Sequence, residues 1–476
     1  MECDTDGFFS KAEWIAKTIR RYSAVHVVTH IDADGLTAGA IACRTLERAG
    51  IAHTIEYVKQ LDEPSLERMA GEGSKLLWFT DLGSGLSRKM GELGLDFVIT
   101  DHHIPEQSRE EVGAQGQKHL NPHHYGIDGA NSVSGSGVTY FVSRAMDDAN
   151  RDLAGIAVVG ACGDLQDTRD CRLTGVNRDI LTDGKAAGVL EWQVDLRYFG
   201  RQTRPVYKLL QYSSDPIIPG ITGREGEAVK FLQELGISLK EGERWRSWIE
   251  LGHDEKRAVV SAIAKLLLSK GFGARSTGRL LGEVYTLRRE EVGSELRDAK
   301  EFATLLNSTA RYGNPDVGLK ICLGERGELF ESAKMLLSGH RKNLVEGLQV
   351  VVDEGIVEME HIQYFHSLEY IRDTIVGIVT GMMLNSDSVR KDIPLVGLAH
   401  SEDGKTKVSA RATRDLVDRG IDLAAALKAA AAQVDGVGGG HNIAAGATIP
   451  RESEQAFLSI LDGQIAAQIS ARSGGV

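Results

Sequence analysis

Short apolar runs alternate with helical stretches along the first third of the chain. Ala24–Thr29, Ala52–Val58, Lys75–Thr80 and Phe97–Thr100 are rich in β-branched and aromatic residues, which is typical of buried strands. Ile156–Gly160 has the same character and is also predicted to be a strand. The stretches between these runs carry apolar residues at helical spacing. Strands that alternate with helices predict an α/β fold with a doubly wound parallel sheet.

The pattern changes twice further along the chain, which predicts three regions. Residues 1–184 carry the alternation described above, residues 185–300 form longer helical runs with few strand signals, and residues 301–476 return to an α/β pattern. In this last region the predicted elements are strand Leu348–Val352, helix Asp373–Leu384, strand Ile393–Ala399, strand Lys405–Arg411, helix Leu423–Ala432 and a glycine-rich loop Gly436–Asn442. We therefore expect a parallel-sheet domain, a helical connecting region and a smaller α/β domain.

Composition limits the class of protein. The chain has 476 residues and a formal net charge of −12, so its length favours two or three domains and its charge argues against an overall basic surface. Its five cysteines include no CxxC pair, which favours free thiols in a reducing compartment. No apolar run approaches the roughly 20 residues of a membrane-spanning helix. We expect a cytoplasmic protein that does not enter a membrane.

Carboxylates and imidazoles follow four of the predicted strands. These residues are His30, Asp32, Asp34, Asp81, Asp101, His102, His103 and Asp164. Open α/β sheets bind ligands at the carboxyl ends of their strands, and oxygen and imidazole ligands without a thiolate suit Mn²⁺, Mg²⁺ or Zn²⁺. Any one of these residues alone would be an ordinary cap or turn former. Four such strand ends in one domain instead predict a metal site.

Two glycine-rich segments leave alternatives open. Ser134–Gly137 at a helix start is either an ordinary cap or a phosphate cradle. Gly438–His441 either supplies backbone amides to an anion or is simply a flexible loop, and Arg411 can pair with a phosphate. Cys162, next to the metal candidates, is predicted to serve packing rather than metal ligation.

The ordered set of motifs resembles the DHH phosphoesterase family and, within it, the archaeal RecJ-like exonucleases. The motifs are His30-x-Asp32-x-Asp34-Gly35, Asp81, Asp101-His102-His103, Gly163-Asp164 and Gly438-Gly439-Gly440-His441. The similarity runs from about residue 20 to 450, and the segments Gly200–Pro205 and Glu301–Asn307 share it.

The resemblance implies a centre of two divalent ions, Mn²⁺ with Mg²⁺ as the alternative. Its implied ligands are His30 and Asp32 for one ion, Asp34, His102 and Asp164 for the other, and Asp81 as the bridge. Its implied catalytic residues are His103, Asp101 and Asp81, with His103 beside the scissile phosphate. Its implied substrate-phosphate residues are Arg411, Gly438, Gly439, Gly440 and His441.

The activity that the resemblance implies is metal-dependent phosphodiester hydrolysis of single-stranded DNA or RNA from an end, in DNA replication or repair. One alternative is a small-substrate phosphodiesterase for nanoRNA or cyclic dinucleotides, although such substrates need no platform as long as residues 185–300. The other is a replisome interaction protein that binds GINS or other replicative-helicase components through that region. The filled metal motifs weigh against a purely structural role.

Overall fold

The structure is a computed structural model that describes residues 3–71, 75–109, 111, 118–384, 386, 389–401 and 403–473. The chain divides into two compact units, Met1–Leu337 and Ser338–Val476. The predicted boundaries at 184 and 300 both fall inside the first unit, and that finer division stays a prediction. Within the described ranges, no helix combines the length and the apolar character that crossing a bilayer requires.

A five-stranded sheet forms the centre of the first unit, in the order β2-β1-β3-β4-β5. Its strands are β1 (Ala24–His30), β2 (Ala52–Val58), β3 (Leu76–Thr80), β4 (Phe97–Thr100) and β5 (His119–Leu120). Every pairing is parallel, which confirms the predicted sheet. The register aligns Thr29 with Thr80 and Thr80 with Thr100, so β1, β3 and β4 end side by side at one edge.

Helices cover both faces of this sheet. The helices that begin in the first unit are α1 (Thr5–Ile19), α2 (Ala33–Arg48), α3 (Glu63–Gly71), α4 (Ser87–Glu92), α5 (Gly135–Met146), α6 (Ala154–Gly163), α7 (Asn177–Ala186), α8 (Val206–Gln211), α9 (Glu225–Glu234), α10 (His253–Ser269), α11 (Ala274–Gly278), α12 (Ala299–Arg311), α13 (Pro315–Cys322) and α14 (Glu328–Glu354). Val27 and Trp78 pack into the larger core with α1, α2, α5 and α6, whereas Val28 and Phe79 pack into a second core with α3 and α4. Alternate strand residues therefore serve opposite faces, as a doubly wound sheet requires.

The middle region is mainly helical, as predicted, but it also contains strands that the sequence did not indicate. These strands are β6 (Leu190–Leu196), β7 (Lys240–Glu241), β8 (Arg244–Trp245) and β9 (Leu281–Leu287). The strands β6 and β9 pair antiparallel although about 85 residues separate them, so no local turn signal marks the pair. Trp248 is fully buried in a separate apolar core of this region.

A six-stranded mixed sheet forms the second unit, in the order β10-β11-β12-β13-β15-β14. Its strands are β10 (Val357–Glu358), β11 (Gln363–His366), β12 (Leu395–His400), β13 (Lys405–Arg411), β14 (Val437–Gly440) and β15 (Ala444–Pro450). Its helices are α15 (Val376–Leu384), α16 (Arg414–Asp418), α17 (Leu423–Ala432) and α18 (Glu454–Ser473). Among these described strands, only β11 and β12 pair in parallel, and apolar clusters lie on both faces of the sheet. Short 3-10 helices in the two units span Pro122–Tyr125, Asp148–Leu153, Trp248–Glu250 and Arg451–Ser453.

Three sequence-based assignments are wrong. Ile156–Gly160 lies in α6 and Leu348–Val352 lies in α14, so neither is a strand. A short apolar run cannot distinguish a strand from a buried helix turn by its periodicity alone. The segment predicted as a loop, Gly436–Asn442, contains the edge strand β14, because pairing with β15 outweighs the low strand propensity of glycine.

Candidate metal centre

The metal candidates gather where β1, β3 and β4 end. His30 is the last residue of β1, and Asp81 and Asp101 directly follow β3 and β4. Asp32 caps α2 by accepting a hydrogen bond from the Gly35 amide at 2.9 Å. A side chain at Gly35 would overlap the His30 carbonyl, so the tight turn from β1 to α2 requires glycine.

Three groups of possible ligands overlap here: His30 with Asp32 and Asp81, then Asp34 with His102 and Asp164, and finally Asp81 with His102 and His103. In the first cluster, His30 Nδ1 lies 3.1 Å from Asp32 Oδ1 and 3.7 Å from Asp81 Oδ2. In the second cluster, His102 Nε2 lies 3.8 Å from Asp34 Oδ2, and His102 Nδ1 lies 3.7 Å from Asp164 Oδ2. The other oxygen of Asp81, Oδ1, lies 3.4 Å from His102 Nε2. Asp81 therefore directs one oxygen toward each cluster.

The environment of His102 fixes which nitrogen faces the cluster. Its Nδ1 lies 2.8 Å from the Gly129 carbonyl, which can only accept, so Nδ1 donates and carries a proton. The other nitrogen, Nε2, faces Asp34 and Asp81. A lone pair at Nε2, held in place by a hydrogen bond at Nδ1, is the usual arrangement of a metal-binding histidine.

The start of α5 holds Asp34 in place. The amides of Gly135 and Ser136 donate to the two oxygens of Asp34 at 2.7 and 3.0 Å. Ser134 caps the same helix by accepting from the Gly137 amide. The cap interpretation of Ser134–Gly137 is therefore correct, and the amides that a phosphate cradle would need already bind a carboxylate.

Asp81 has the environment of a carboxylate that binds a cation. Its side chain is 2% exposed, and Oδ1 has no hydrogen-bond partner among the described residues. Its backbone adopts a φ of 61°, which is rare for a residue with a side chain. Burial, and next the neighbouring Asp34 and Asp32, raise the pKa of Asp81 well above its ordinary value. A divalent ion would neutralise this cluster of carboxylates and satisfy the free oxygen.

Asp101 contacts His103 instead of joining either cluster. Asp101 Oδ1 accepts from the His103 ring at 2.8 Å and from the His102 amide at 2.8 Å, while Oδ2 accepts from the Ser84 amide at 3.0 Å. Burial lowers the pKa of His103, but the charge and hydrogen bond of Asp101 outweigh it and raise the pKa to about 9. Half-exposed His103 is therefore a cation at neutral pH and presents Nε2 away from Asp101.

Asp164 reaches the centre from a helix and not from a strand, because α6 replaces the predicted strand. Burial raises the pKa of Asp164 even though His102 opposes the change. Asp167, three residues beyond Asp164, pairs with Lys300 at 2.6 Å and lies outside both clusters. Cys162 is buried, its thiol pKa is raised by burial, and all five cysteines are free, which fits the packing role.

Helix α12 supports the centre through contacts that the sequence did not indicate. Asn307 accepts a hydrogen bond from the Ala33 amide at 2.9 Å, between Asp32 and Asp34. At the other end of α12, Glu301 accepts from the Gln202 amide at 2.8 Å and from the Thr203 hydroxyl at 2.5 Å. The two family-like segments, 200–205 and 301–307, are therefore bonded to each other. Neither pairing has a local signal, because about 100 and 274 residues separate the partners.

The predicted phosphate residues lie at the same end of three adjacent strands, β13, β15 and β14, in the second unit. Arg411 ends β13 opposite Ala444 of β15, and Gly440 ends β14 opposite Ala445. His441 is exposed and its amide donates to the Ala444 carbonyl at 2.8 Å in the turn into β15.

The three glycines of β14 differ in what they require. A Cβ at Gly438 would lie 2.6 Å from the Leu427 carbonyl, and Gly440 has a φ of 136° and would place a Cβ 2.7 Å from Ala445 Cα. At Gly439, by contrast, no atom lies within 4 Å of the position that a Cβ would take. Packing therefore explains Gly438 and Gly440 but leaves open space above Gly439.

A further cluster in the second unit, His366, His400 and Glu454, has the residue types of a metal site. However, the Leu368 amide donates to His366 Nδ1 at 3.0 Å, so in the neutral ring Nε2 carries the proton and donates to Glu454 at 2.9 Å. His400 bonds Glu369 and Glu454 with its two nitrogens. These bonds occupy the ring nitrogens, and the cluster links β11, β12 and α18.

Three family models match the chain in an order that follows the fold. The DHH family N-terminal domain matches residues 24–161, the DHH-CID domain matches residues 198–281 and the DHHA1 domain matches residues 362–467. The first match contains β1 to β5, the second lies in the middle region and the third contains most of the sheet of the second unit.

Similar proteins agree with these matches. An uncharacterized protein of Methanocaldococcus jannaschii is 30% identical over 456 residues, which are 95% of this chain and 96% of that protein. The structure of CDC45 from Entamoeba histolytica has a TM-score of 0.68 at 12% identity and covers 96% of this chain and 99% of its own. RecJ in complex with Mn²⁺ from Thermus thermophilus has a TM-score of 0.58 at 18% identity and covers 98% of this chain.

The chain spans 55% of the length of that RecJ. At these identities the two structures establish a shared fold, whereas the archaeal relative matches nearly the whole sequence. The three matched domains and this relative show that the chain belongs to the DHH family, and its fold is the one seen in RecJ.

Proposed function

We propose that this protein hydrolyses phosphodiester bonds of single-stranded nucleic acid from an end, with two divalent ions. The observation that carries the proposal is the placement of Asp81, a buried carboxylate that directs one oxygen toward each of two neighbouring ligand clusters. His30 and Asp32 would complete one site, and Asp34, His102 and Asp164 the other. Bound divalent ions would supply Lewis-acid stabilisation of the phosphoryl oxygens and an activated water.

The remaining residues of the centre position charge around the phosphate. Asp101 keeps His103 protonated and oriented, and His103 then donates from Nε2 to a phosphate oxygen of the substrate. Asp101 acts through His103, so we assign it a positioning role. Oxygen and imidazole ligands together suit Mn²⁺, with Mg²⁺ as the alternative.

In the second unit, we assign Arg411 and the segment Gly438, Gly439, Gly440 and His441 to binding of a substrate phosphate. Two features support this assignment. Arg411 and the His441 turn lie at the same end of their strands, and β15 lies between them. As an edge strand, β14 also has backbone N–H groups outside the sheet, and the space above Gly439 admits a ligand.

The test is hydrolysis of single-stranded DNA and RNA oligomers that carry a label at either end, with Mn²⁺ present. Stepwise release of mononucleotides from one end is the expected result. Asp34→Ala and Asp81→Ala should each lower the rate by at least about a hundredfold. Losing a residue that only hydrogen-bonds a metal ligand costs about 10- to 100-fold in activity, and losing the ligand itself should cost more. Asp254→Ala, at an 85% exposed position away from both clusters, serves as the matched control.

A near-normal rate of hydrolysis in either variant would contradict the two-ion proposal. Turnover of dinucleotides without cleavage of long strands would instead assign the protein to the small-substrate class. If no substrate is cleaved, the remaining alternative is a replisome interaction protein. In that case, the test is a pull-down of GINS and other helicase components with and without residues 185–300.

A further inference from the structure

An arginine-lined groove lies on the first unit, outside the metal clusters. It encloses about 490 Å³ between the loop that follows α6 and the segment from α11 to the start of β9. Four arginines line it: Arg169, Arg172, Arg275 and Arg279. The acidic lining residues are Asp170 and Glu283. The whole chain has a net charge of −12, so this local excess of positive charge indicates a surface that can attract an anion.

The four arginines fall into two pairs with different surroundings. Arg279 is fixed by Asp215 and by the Thr168 carbonyl at 3.0 Å, and Arg169 contacts Asp170 at 2.9 Å. Arg172 and Arg275 are exposed, and within the described ranges neither forms an ion pair. Two guanidinium groups of the groove are thus held by carboxylates, and the other two are available to an anion.

A chain of contacts connects the groove to residues that hold the candidate metal ligands. Arg169 Nη1 lies 3.5 Å from Asp128, and the next residue, Gly129, accepts the hydrogen bond from His102 Nδ1. Gln166, in the same loop, donates to Asp164 at 2.9 Å and to Gly129 at 3.0 Å. One wall of the groove is therefore continuous with the residues that hold two of the candidate ligands.

The apolar part of the groove lacks a specific pocket. Val194 and Leu281 line it with 69% and 39% of their surface exposed, and among the described residues no aromatic ring lines it. Such a surface offers apolar contact to sugars, while the arginines can contact phosphates.

We propose that this groove binds the backbone of the single strand that extends from the scissile phosphate. This inference rests on the proposed function, because it identifies the substrate as a strand of several nucleotides instead of a dinucleotide. An acidic peptide has a similar charge, but the continuity with the ligand residues favours the strand that the centre cleaves.

The experiment compares the full-length chain with Arg172→Ala/Arg275→Ala. Fluorescence anisotropy with Mn²⁺ present measures binding of a strand of about 20 nucleotides, longer than most single-strand sites. Phosphorothioate linkages in this strand keep its charge and resist hydrolysis. The double variant should bind roughly tenfold more weakly near 0.15 M salt, and the slope of log affinity against log salt should fall by about 1.4.

Lys230→Ala/Arg257→Ala is the matched control, since it removes two charges at positions that are 67% and 70% exposed and outside the groove. Its affinity and salt slope should equal those of the wild type. Hydrolysis of a dinucleotide should be the same in all three proteins, because the inference assigns Arg172 and Arg275 only to the strand beyond the scissile phosphate.

The outcomes separate this inference from the proposed function. A wild-type protein that binds the strand through these arginines but cleaves nothing would support the groove and refute the hydrolysis. Unchanged affinity and salt slope in the double variant would overturn the groove, whatever the hydrolysis shows. Binding of an acidic polyglutamate peptide that depends on Arg172 and Arg275, without such binding of the strand, would also overturn it.

Discussion

At the scale of single residues, Asp101 is the clearest case of a side chain that acts through another. Its buried carboxylate accepts four hydrogen bonds, two of them from His103 and one each from the amides of His102 and Ser84. Asp101→Asn removes the charge and turns an NH₂ group toward at least one of these donors. We expect the pKa of His103 to fall from about 9 and hydrolysis to slow by about 10- to 100-fold. The pH–rate profile and the NMR titration of His103 measure the two effects.

A double variant tests whether Asp101 works only through His103. If it does, Asp101→Asn/His103→Gln should be no slower than His103→Gln alone, since the second change removes nothing further. Rate losses that multiply in the double variant would contradict this positioning role and give Asp101 an independent function.

The grouping of the candidate ligands was predictable from the sequence because each follows a strand end or lies in a motif of a few residues. His30, Asp32 and Asp34 occupy a single turn, for example. The groups that orient these candidate ligands were not predictable, since Gly129 is 27 residues from His102 and Asn307 is 274 residues from Ala33. A carbonyl or an asparagine carries no local sign of the distant group it will bond.

At the scale of elements, the misassigned helix α6 shows where sequence patterns fail. Its run Ile156–Gly160 is apolar throughout, and the structure buries nearly the whole helix, so no polar face reveals the helical period. The parallel sheet was predictable because its runs are short, β-branched and separated by amphipathic helices. Edge strand β14 was not predictable, because three consecutive glycines have low strand propensity and pair only through the fold.

Helix α6 also makes a testable contribution to the centre. A Cβ at Gly160 would lie 2.5 Å from Asp34 Oδ1 and would overlap the hydroxyls of Ser136 and Thr37. Gly160→Ala should therefore push α6 away from α2 and α5, cost about 1–3 kcal/mol of unfolding free energy and weaken Mn²⁺ binding. Denaturant unfolding and Mn²⁺ titration measure the two effects.

Gly155→Ala on the same helix is the control. Its Cβ would lie 3.8 Å or more from its neighbours, so the change should stabilise the protein by about 0.5–1 kcal/mol and leave Mn²⁺ affinity unchanged. Equal behaviour of the two variants would contradict a close-packing role for Gly160.

At the scale of the whole molecule, the two compact units can be followed separately. All five tryptophans lie in the first unit, at positions 14, 78, 192, 245 and 248. Tryptophan fluorescence therefore reports unfolding of the unit that contains the metal clusters. If Mn²⁺ binds there, the ion should stabilise this transition by about 2.7 kcal/mol at a free concentration a hundredfold above its Kd, which raises the midpoint temperature by roughly 4 °C.

The stabilisation by Mn²⁺ should grow as the pH rises. Burial and neighbouring carboxylates raise the pKa of Asp81, and the carboxylates around His102, led by Asp164, overcome burial and raise its pKa to about 9. Groups with raised pKa values bind protons more tightly in the folded state, so Asp81 and His102 contribute stability to the metal-free unit that is lost as the pH increases from about 5 to 9. Protons and Mn²⁺ compete for the same atoms, and the effect of the ion is therefore smallest where protons are abundant.

Asp81→Asn distinguishes the competition between protons and Mn²⁺ from a general salt effect. The substitution keeps the shape of the side chain and removes the carboxylate charge that both clusters would share. We expect the variant to lose most of the stabilisation that Mn²⁺ gives the first unit at every pH. Without metal at pH 8, the variant should be more stable than the wild type, since it no longer buries a carboxylate among other carboxylates. A pH-independent increment in the wild type, or an increment that Asp81→Asn retains, would mean that Mn²⁺ binds elsewhere on the first unit. The tryptophan-reported transition, measured with and without Mn²⁺ between pH 5 and 9, distinguishes these cases because it excludes ions bound only to the second unit.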